Sequence, residues 1–163
     1  MSNIQIGGNE DMNISLRDIT QANWMECISL TTNKTGIPTL YEEFVTSNAL
    51  SIALSKIQNE WIIKAIYNNE QMIGFTMYGF GEVNKFYEIL RLMIDYKHQG
   101  KGYGKIALKK IINELASLED CKEIFLSFDP ENNIGRHLYE KLNFKDTGRM
   151  IDGELLYVLQ LDK

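Results

Sequence analysis

The sequence predicts an α/β sandwich: a mixed, mostly antiparallel central sheet flanked by helices. Three observations carry this. Segments of strand periodicity and segments of helical periodicity follow one another in the order β-α-α-β-β-β-α-β-α-β-β. Short turn signals, Asn68-Asn69-Glu70-Gln71 and Asp152-Gly153, join neighbouring strand segments into hairpins. The chain of 163 residues has no Pro-rich or Gly/Ser-rich linker, so it reads as one domain with a core of its own.

Residues 1–12 are polar, carry Glu10 and Asp11, and read as a flexible tail rather than a signal peptide; residues 13–163 read as the single domain. Residues 13–17 alternate and form the first strand. Thr20 is placed to cap a helix over residues 21–31. Gly36-Ile37-Pro38 breaks the chain before a second helix over residues 40–56. Residues 61–67 and 72–80 pair as a hairpin, and residues 85–94 make the next strand. After the glycines at 100–104, Ala107 or Leu108, Ile111, Leu115 and Leu118 recur at helical spacing, with Lys109, Lys110, Asn113 and Glu114 on the other side. Residues 123–128 are a strand and 132–142 a short helix, ended by Asn143 where a left-handed cap is useful. Residues 144–150 and 154–161 close the chain as two strands.

Composition removes several function classes. The net charge is −5, which disfavours nucleic acid and suits a cationic small molecule. No apolar run approaches the ~20 residues of a membrane span. Cys27 and Cys121 have no metal-type spacing and read as inert thiols of a reducing cytoplasm; with only two histidines, His98 and His137, no metal site is expected. The oligomeric state is open, a homodimer included.

Chemistry concentrates in Gln99-Gly100-Lys101-Gly102-Tyr103-Gly104, between a strand and a helix. Glycines let backbone amides approach a ligand, and the first turn of a helix leaves its amides unpaired, which favours a phosphate. Lys101 and Lys105 add local positive charge to an acidic chain. The dinucleotide pattern G-x-G-x-x-G fails because Lys105 stands where its third glycine belongs. The P-loop pattern fails because Ile106 follows Gly104-Lys105. What remains from these residues alone is a phosphate cradle or a ligand-free glycine turn.

Gln99, Gly102 and Gly104 do meet the pattern Q/R-x-x-G-x-G, and here the chain resembles the GNAT superfamily of N-acetyltransferases. Met72-Ile73-Gly74-Phe75 is similar to its returning strand "x-V-G-F". Asn132 and Tyr139 stand at the spacing of "N-x-x-A-x-x-x-Y", with Gly135 for the alanine, a small-for-small change. Tyr139-Glu140-Lys141-Leu142-Asn143-Phe144 is similar to "Y-E-K-x-G-F", with Asn143 for the glycine. Met77-Tyr78-Gly79, Ile94-Asp95 and Glu131-Asn132 bring the closer resemblance to bacterial spermine/spermidine N-acetyltransferases of that superfamily.

The resemblance implies acetyl transfer from acetyl-CoA, as cosubstrate, to a small polyamine. It places the diphosphate on the amides of Gly100, Lys101, Gly102, Tyr103 and Gly104, with Gln99 and Lys105 beside them. It places pantetheine along Leu92-Met93-Ile94, where an amide near Met93 would face the thioester oxygen; as side chains these three are also core strand. Asn132 would bind the cofactor or cap its helix. Tyr139 would protonate the departing thiolate, since a phenol keeps its proton at neutral pH, or is a core aromatic on its helix. Glu88, between Tyr87 and Ile89, is a candidate base for the amine or a solvated strand glutamate, and water-relayed deprotonation needs neither. Glu42, Glu43 and Glu82 are candidate partners for an ammonium group. Trp24, Tyr41 and Tyr78 wall a methylene slot or belong to the core. The alternatives are another amine acceptor (an antibiotic, an amino acid, a protein amine) and a catalytically silent acyl-CoA sensor, which the presence of both Tyr139 and Glu88 disfavours.

Overall fold

The computed structural model describes residues 12–37 and 47–162. Residues 1–11 of the expected N-terminal tail, the first part of the second predicted helix, and with it Tyr41, Glu42 and Glu43, lie outside the described residues. The strands are β1 (Ile14–Asp18), β2 (Trp61–Asn68), β3 (Gln71–Gly81), β4 (Phe86–Ile94), β5 (Glu123–Phe128), β6 (Lys145–Ile151) and β7 (Glu154–Gln160). The helices among the described residues are α1 (Trp24–Ile28), α2 (Asn48–Ile57), α3 (Tyr103–Ala116) and α4 (Asn133–Lys141), with a 3₁₀ turn over Tyr96–His98.

Among the described residues, seven strands form one sheet in the order β1-β2-β3-β4-β5-β7-β6, antiparallel except for the parallel pair β4 and β5. The fold is the mixed, mostly antiparallel α/β architecture expected. Asn69 at φ 53°, and Asp152 and Gly153 at φ 50° and 85°, turn two hairpins as their residue types allow. Asn143 at φ 68° ends α4 in the expected left-handed position.

The first helix is shorter than its periodicity predicts. Thr20 does not cap it: Thr20 Oγ1 accepts from Ala22 N at 3.2 Å in a local turn, while Asn23 Oδ1 accepts from Thr20 N at 2.7 Å. Asn23 then precedes α1, and at the far end Ser29 Oγ donates to the Met25 carbonyl at 2.8 Å just past the last turn. Local hydrogen bonding by short polar side chains has won over helical periodicity.

Alternation along the strands separates two packed layers. Tyr78, Ile89, Ile124, Leu126, Phe128 and Tyr157 meet Leu108, Ile111 and Leu115 of α3 on one face. Ala65, Phe75 and Met77 meet Cys27 of α1 and Ile52 and Leu54 of α2 on the other. Each fully buried Leu or Ile contributes about 1.5–3 kcal/mol. Both cysteines are buried thiols outside any disulfide, and burial pushes the Cys27 thiol up to about 12. No described helix is long and apolar enough to cross a membrane.

Two features of β4 shape the centre of the sheet. Met77 pairs with Arg91 and Tyr78 with Ile89, so Leu90 is an extra, bulged residue. The parallel pairing with β5 covers only Tyr87 with Ile124 and Glu88 with Phe125. A bulge bends its strand, and here the bend begins where the two strands part.

Candidate active site

Beyond Glu88 and Phe125 the strands β4 and β5 diverge, while β5 stays paired with β7 as far as Phe128. The gap is a cleft of about 410 Å³. Its walls are Ile89 to Met93 of β4 and Leu126 to Asp129 at the end of β5, with Asn132 and Tyr139 from the α4 region. Leu30, Thr32, Ser47 and Asn48 close it on the α1–α2 side, and Glu154 opens β7 at its rim.

The open edge of β4 carries unpaired backbone, and the register says which groups. Asp95 N donates to the Ile73 carbonyl at 2.8 Å, and Thr76 Oγ1 donates to the Arg91 carbonyl at 2.7 Å, both toward β3. Backbone groups alternate sides along a strand. Arg91, Met93 and Asp95 therefore turn to β3, and Leu92 and Ile94 turn their amides and carbonyls to the opening. The Met93 amide is engaged within the sheet; Leu92 and Ile94 on either side of it hold the open positions, near Met93 as expected. Gln99 Nε2 donates to the Ile94 carbonyl at 3.0 Å, which ties the glycine loop to the end of this edge.

The loop leaves the end of β4 through the 3₁₀ turn and enters α3. Gly100 and Gly102 have φ of 77° and 82°, a left-handed conformation that residues with a Cβ adopt at a cost. Gly102 occupies the N-cap position, where a glycine offers no side chain to the helix, and Ile106 N bonds back to its carbonyl at 3.4 Å. The amides of Tyr103, Gly104 and Lys105 precede the first intrahelical bond. Among the described residues, a Cβ at Gly100 or Gly102 would meet nothing within 4 Å, which leaves room over the loop for a ligand. Lys101 and Lys105 are exposed beside it. Tyr103 itself is buried, its hydroxyl accepting from Asn68 Nδ2 at 3.3 Å, so only its backbone is free for a ligand. Amides, glycine clearance and lysines together fit a diphosphate. The loop lies outside the residues that line the cleft, beyond the C-terminal end of β4.

Tyr139 reaches the cleft from α4, packed against Phe128 at 5.0 Å between ring centroids and Phe144 at 6.2 Å. Burial, and then the charge of Glu154, hold its phenol above the ordinary value. Asn132 caps α4, its Oδ1 accepting from Gly135 N at 2.9 Å. A Cβ at position 135 would stand 2.6 Å from Asn132 Nδ2, so the glycine there is what leaves this cap its place, more than an exchange of one small residue for another.

Glu88 does not line the cleft, although its neighbour Ile89 does. Its carboxylate lies over Gly81, where any Cβ would collide with it, and accepts from Asn84 Nδ2 at 3.5 Å. Burial raises its pKa, against the lowering influence of Asn84 and Arg91. Glu82 is exposed in the β3–β4 turn, paired with Lys85. Tyr78 is wholly buried with its hydroxyl bonded to Glu114, a core residue that walls no slot. Trp24 is exposed and off the cleft. The cleft also holds residues the sequence did not single out: Asn48, Arg91, Ser127, Asp129 and Glu154. Asn48 Nδ2 donates to the Cys27 carbonyl at 2.9 Å, locking α2 to α1. Nothing in the local sequence marks these residues, because they meet only when separate strands converge.

Residues 24–144 match the model of the Acetyltransferase (GNAT) family. A spermine/spermidine N(1)-acetyltransferase of Bacillus subtilis (strain 168) is 29% identical over 157 residues, which are 92% of this chain and the whole of that protein. An acetyltransferase from Thermus thermophilus superposes with TM-score 0.69 at 16% identity over 92% of this chain and 98% of its own. A spermidine N-acetyltransferase from Vibrio cholerae, solved with CoA and spermine, superposes with TM-score 0.67 at 16% identity over 90% and 95%.

Proposed function

The chain belongs to the acetyltransferase (GNAT) family, and on that premise we propose that this N-acetyltransferase moves an acetyl group from acetyl-CoA to a primary amine of a small polyamine such as spermidine or spermine. The observation that carries the reading is the gap between β4 and β5, with open backbone on one wall and Tyr139 on the other. The polyamine comes from the name of the Bacillus subtilis relative; the cationic acceptor agrees with a net charge of −5.

Acetyl-CoA supplies a thioester carbonyl already activated toward attack. The chain holds its diphosphate on the amides of Gly102 to Lys105 at the start of α3, where the helix dipole adds to Lys101 and Lys105. Pantetheine lies along the open edge of β4 as an added strand, against Leu92, Met93 and Ile94. The Leu92 amide is the donor for the thioester oxygen as it gains charge. The amine must first lose a proton, since an alkylammonium with a pKa of about 10 has no lone pair at neutral pH. Glu88, one residue outside the cleft, takes that proton through water. The amine nitrogen then bonds to the carbonyl carbon and gives up its second proton to solvent, the carbon–sulfur bond breaks, and the thiolate takes the Tyr139 proton. Tyr139 regains a proton from solvent.

The test is direct. The protein is incubated with acetyl-CoA and a panel of polyamines, diamines, aminoglycosides, amino acids and peptides; thiol release is followed and products are weighed. Release with spermidine or spermine and a product heavier by one acetyl group is expected. Release only with another amine class would remove the polyamine, and calorimetry without CoA binding would remove the whole reading.

A further inference from the structure

We propose that Glu154, its carboxylate fixed by Ser127, receives the ammonium group of the acceptor and selects cationic amines. This rests on the acetyl-transfer reading above and assigns one residue of its acceptor side.

The argument begins with strand alternation. Leu126 and Phe128 of β5, and Leu155 and Tyr157 of β7, pack in the layer built on α3. Their neighbours Ser127 and Glu154 therefore project to the opposite face, toward α1 and α2. Ser127 Oγ donates to Glu154 Oε2 at 2.5 Å, a bond between adjacent strands that holds the carboxylate in one orientation. Both residues line the cleft.

The two faces of the sheet divide the work. The start of α3, with its free amides, belongs to the layer on one face, so the phosphate-bearing substrate is held from that side. Its thioester enters the gap, and the amine comes from the other side, where Leu30, Thr32, Ser47 and Asn48 form the wall. Glu154 stands on that side and close enough for its charge to act on the Tyr139 phenol. An ammonium bound to Glu154 thereby shares the cleft with the proton donor of the reaction. Glu88 does not line the cleft, and Asp129 lines it from an exposed position past the end of β5. Among the described residues that line the cleft, Arg91 supplies a cation and directs one of its nitrogens to the Leu90 carbonyl at 2.8 Å. Glu154 combines a cleft position, a half-buried site and a fixing hydrogen bond, which together suit a charge-assisted contact to an alkylammonium.

The experiment compares wild type with Glu154→Gln, Glu154→Asp and Ser127→Ala in the full chain. Four quantities are read: KM and kcat for spermidine, CoA affinity by calorimetry, and melting temperature. Glu154→Gln is expected to raise KM roughly tenfold or more, with CoA affinity and melting temperature unchanged. Glu154→Asp should retain more affinity than Gln. Ser127→Ala should raise KM by about threefold, and it decides the matter if the Glu154 variants fail to fold. A KM within twofold of wild type in Glu154→Gln, or a parallel loss of CoA affinity and melting temperature, overturns the assignment while leaving acetyl transfer intact. A wild type that acetylates no amine in the panel overturns the underlying reading, and this assignment with it.

Discussion

Replacing Tyr139 by Phe removes one hydroxyl and keeps the ring. The contacts to Phe128 and Phe144, at 5.0 and 6.2 Å between centroids, are made by ring carbons and survive the change. Stability should move by less than about 1 kcal/mol, against about 3 kcal/mol when Tyr139→Ala deletes the ring. The chemical loss is larger. A positioned general acid contributes about 10²–10⁴ in rate, or about 2.7–5.4 kcal/mol at 1.36 kcal/mol per decade. The cleft is open to solvent, so water substitutes in part and the lower end, about 10²-fold in kcat, is expected. The sign of the pH dependence follows from the phenol. Burial and the Glu154 charge raise its pKa, so the proton-bearing form persists through neutral pH and is lost only as pH rises beyond about 10. Wild type should therefore show no alkaline loss from this group between about pH 7 and 9. The assay is thiol release under saturating acetyl-CoA, with CoA affinity measured separately by calorimetry. A kcat within threefold of wild type would refute Tyr139 as the acid. A drop in CoA affinity or melting temperature equal to the drop in rate would make it a packing residue.

Three further outcomes are expected. Glu88→Gln removes a carboxylate whose pKa burial has raised; ionised Glu88 costs stability as pH rises through its folded value, so the variant should melt higher at neutral pH and equally at low pH. If Glu88 is the base, the acid limb of the rate profile disappears as well, and an unchanged profile removes it from the mechanism. Gly102→Ala forces a Cβ into φ 82° and should lower stability by about 1 kcal/mol in denaturant titration and weaken CoA binding; Gly104→Ala, with Ile94 Cγ1 at 3.7 Å from the new Cβ, should be tolerated, and equal effects would contradict the strain argument. Asn132→Ala deletes the 2.9 Å cap on Gly135 and should cost about 0.5–2 kcal/mol, whereas unchanged stability with weakened CoA binding would make Asn132 a ligand residue instead.

The strands and the helix after the glycine loop were legible because their periodicities are long and the hairpin turns carry Asn, Asp and Gly; the helix read over residues 40–56 instead begins at Asn48, because the extended Ser47 caps it with a side chain that accepts from Leu50 N. The first helix was misread in length, since the competition between Thr20, Asn23 and Ser29 for nearby backbone groups depends on geometry rather than on pattern. Which amide near Met93 faces the opening, that of Leu92 or Ile94 and not its own, was beyond the pattern because the side a backbone group faces is a matter of register. Tyr78 shows the same limit: an aromatic in a strand reads alike as a pocket wall or as core, and its burial against α3 with a bond to Glu114 decided for core.

By itself the sequence determined what is local. The glycine loop requires left-handed backbone at Gly100 and Gly102, Asn132 caps a helix, Asn143 ends it, and these follow from bond rotations and spacing within a few residues. Only the tertiary structure decided what is shared between distant segments. The bulge at Leu90, the parting of β4 from β5, and the meeting of Ser127, Tyr139 and Glu154 around one cleft arise from strand pairing across the chain. Pairing is fixed by burial of whole faces at once, so no single segment carries the information that brings those side chains together.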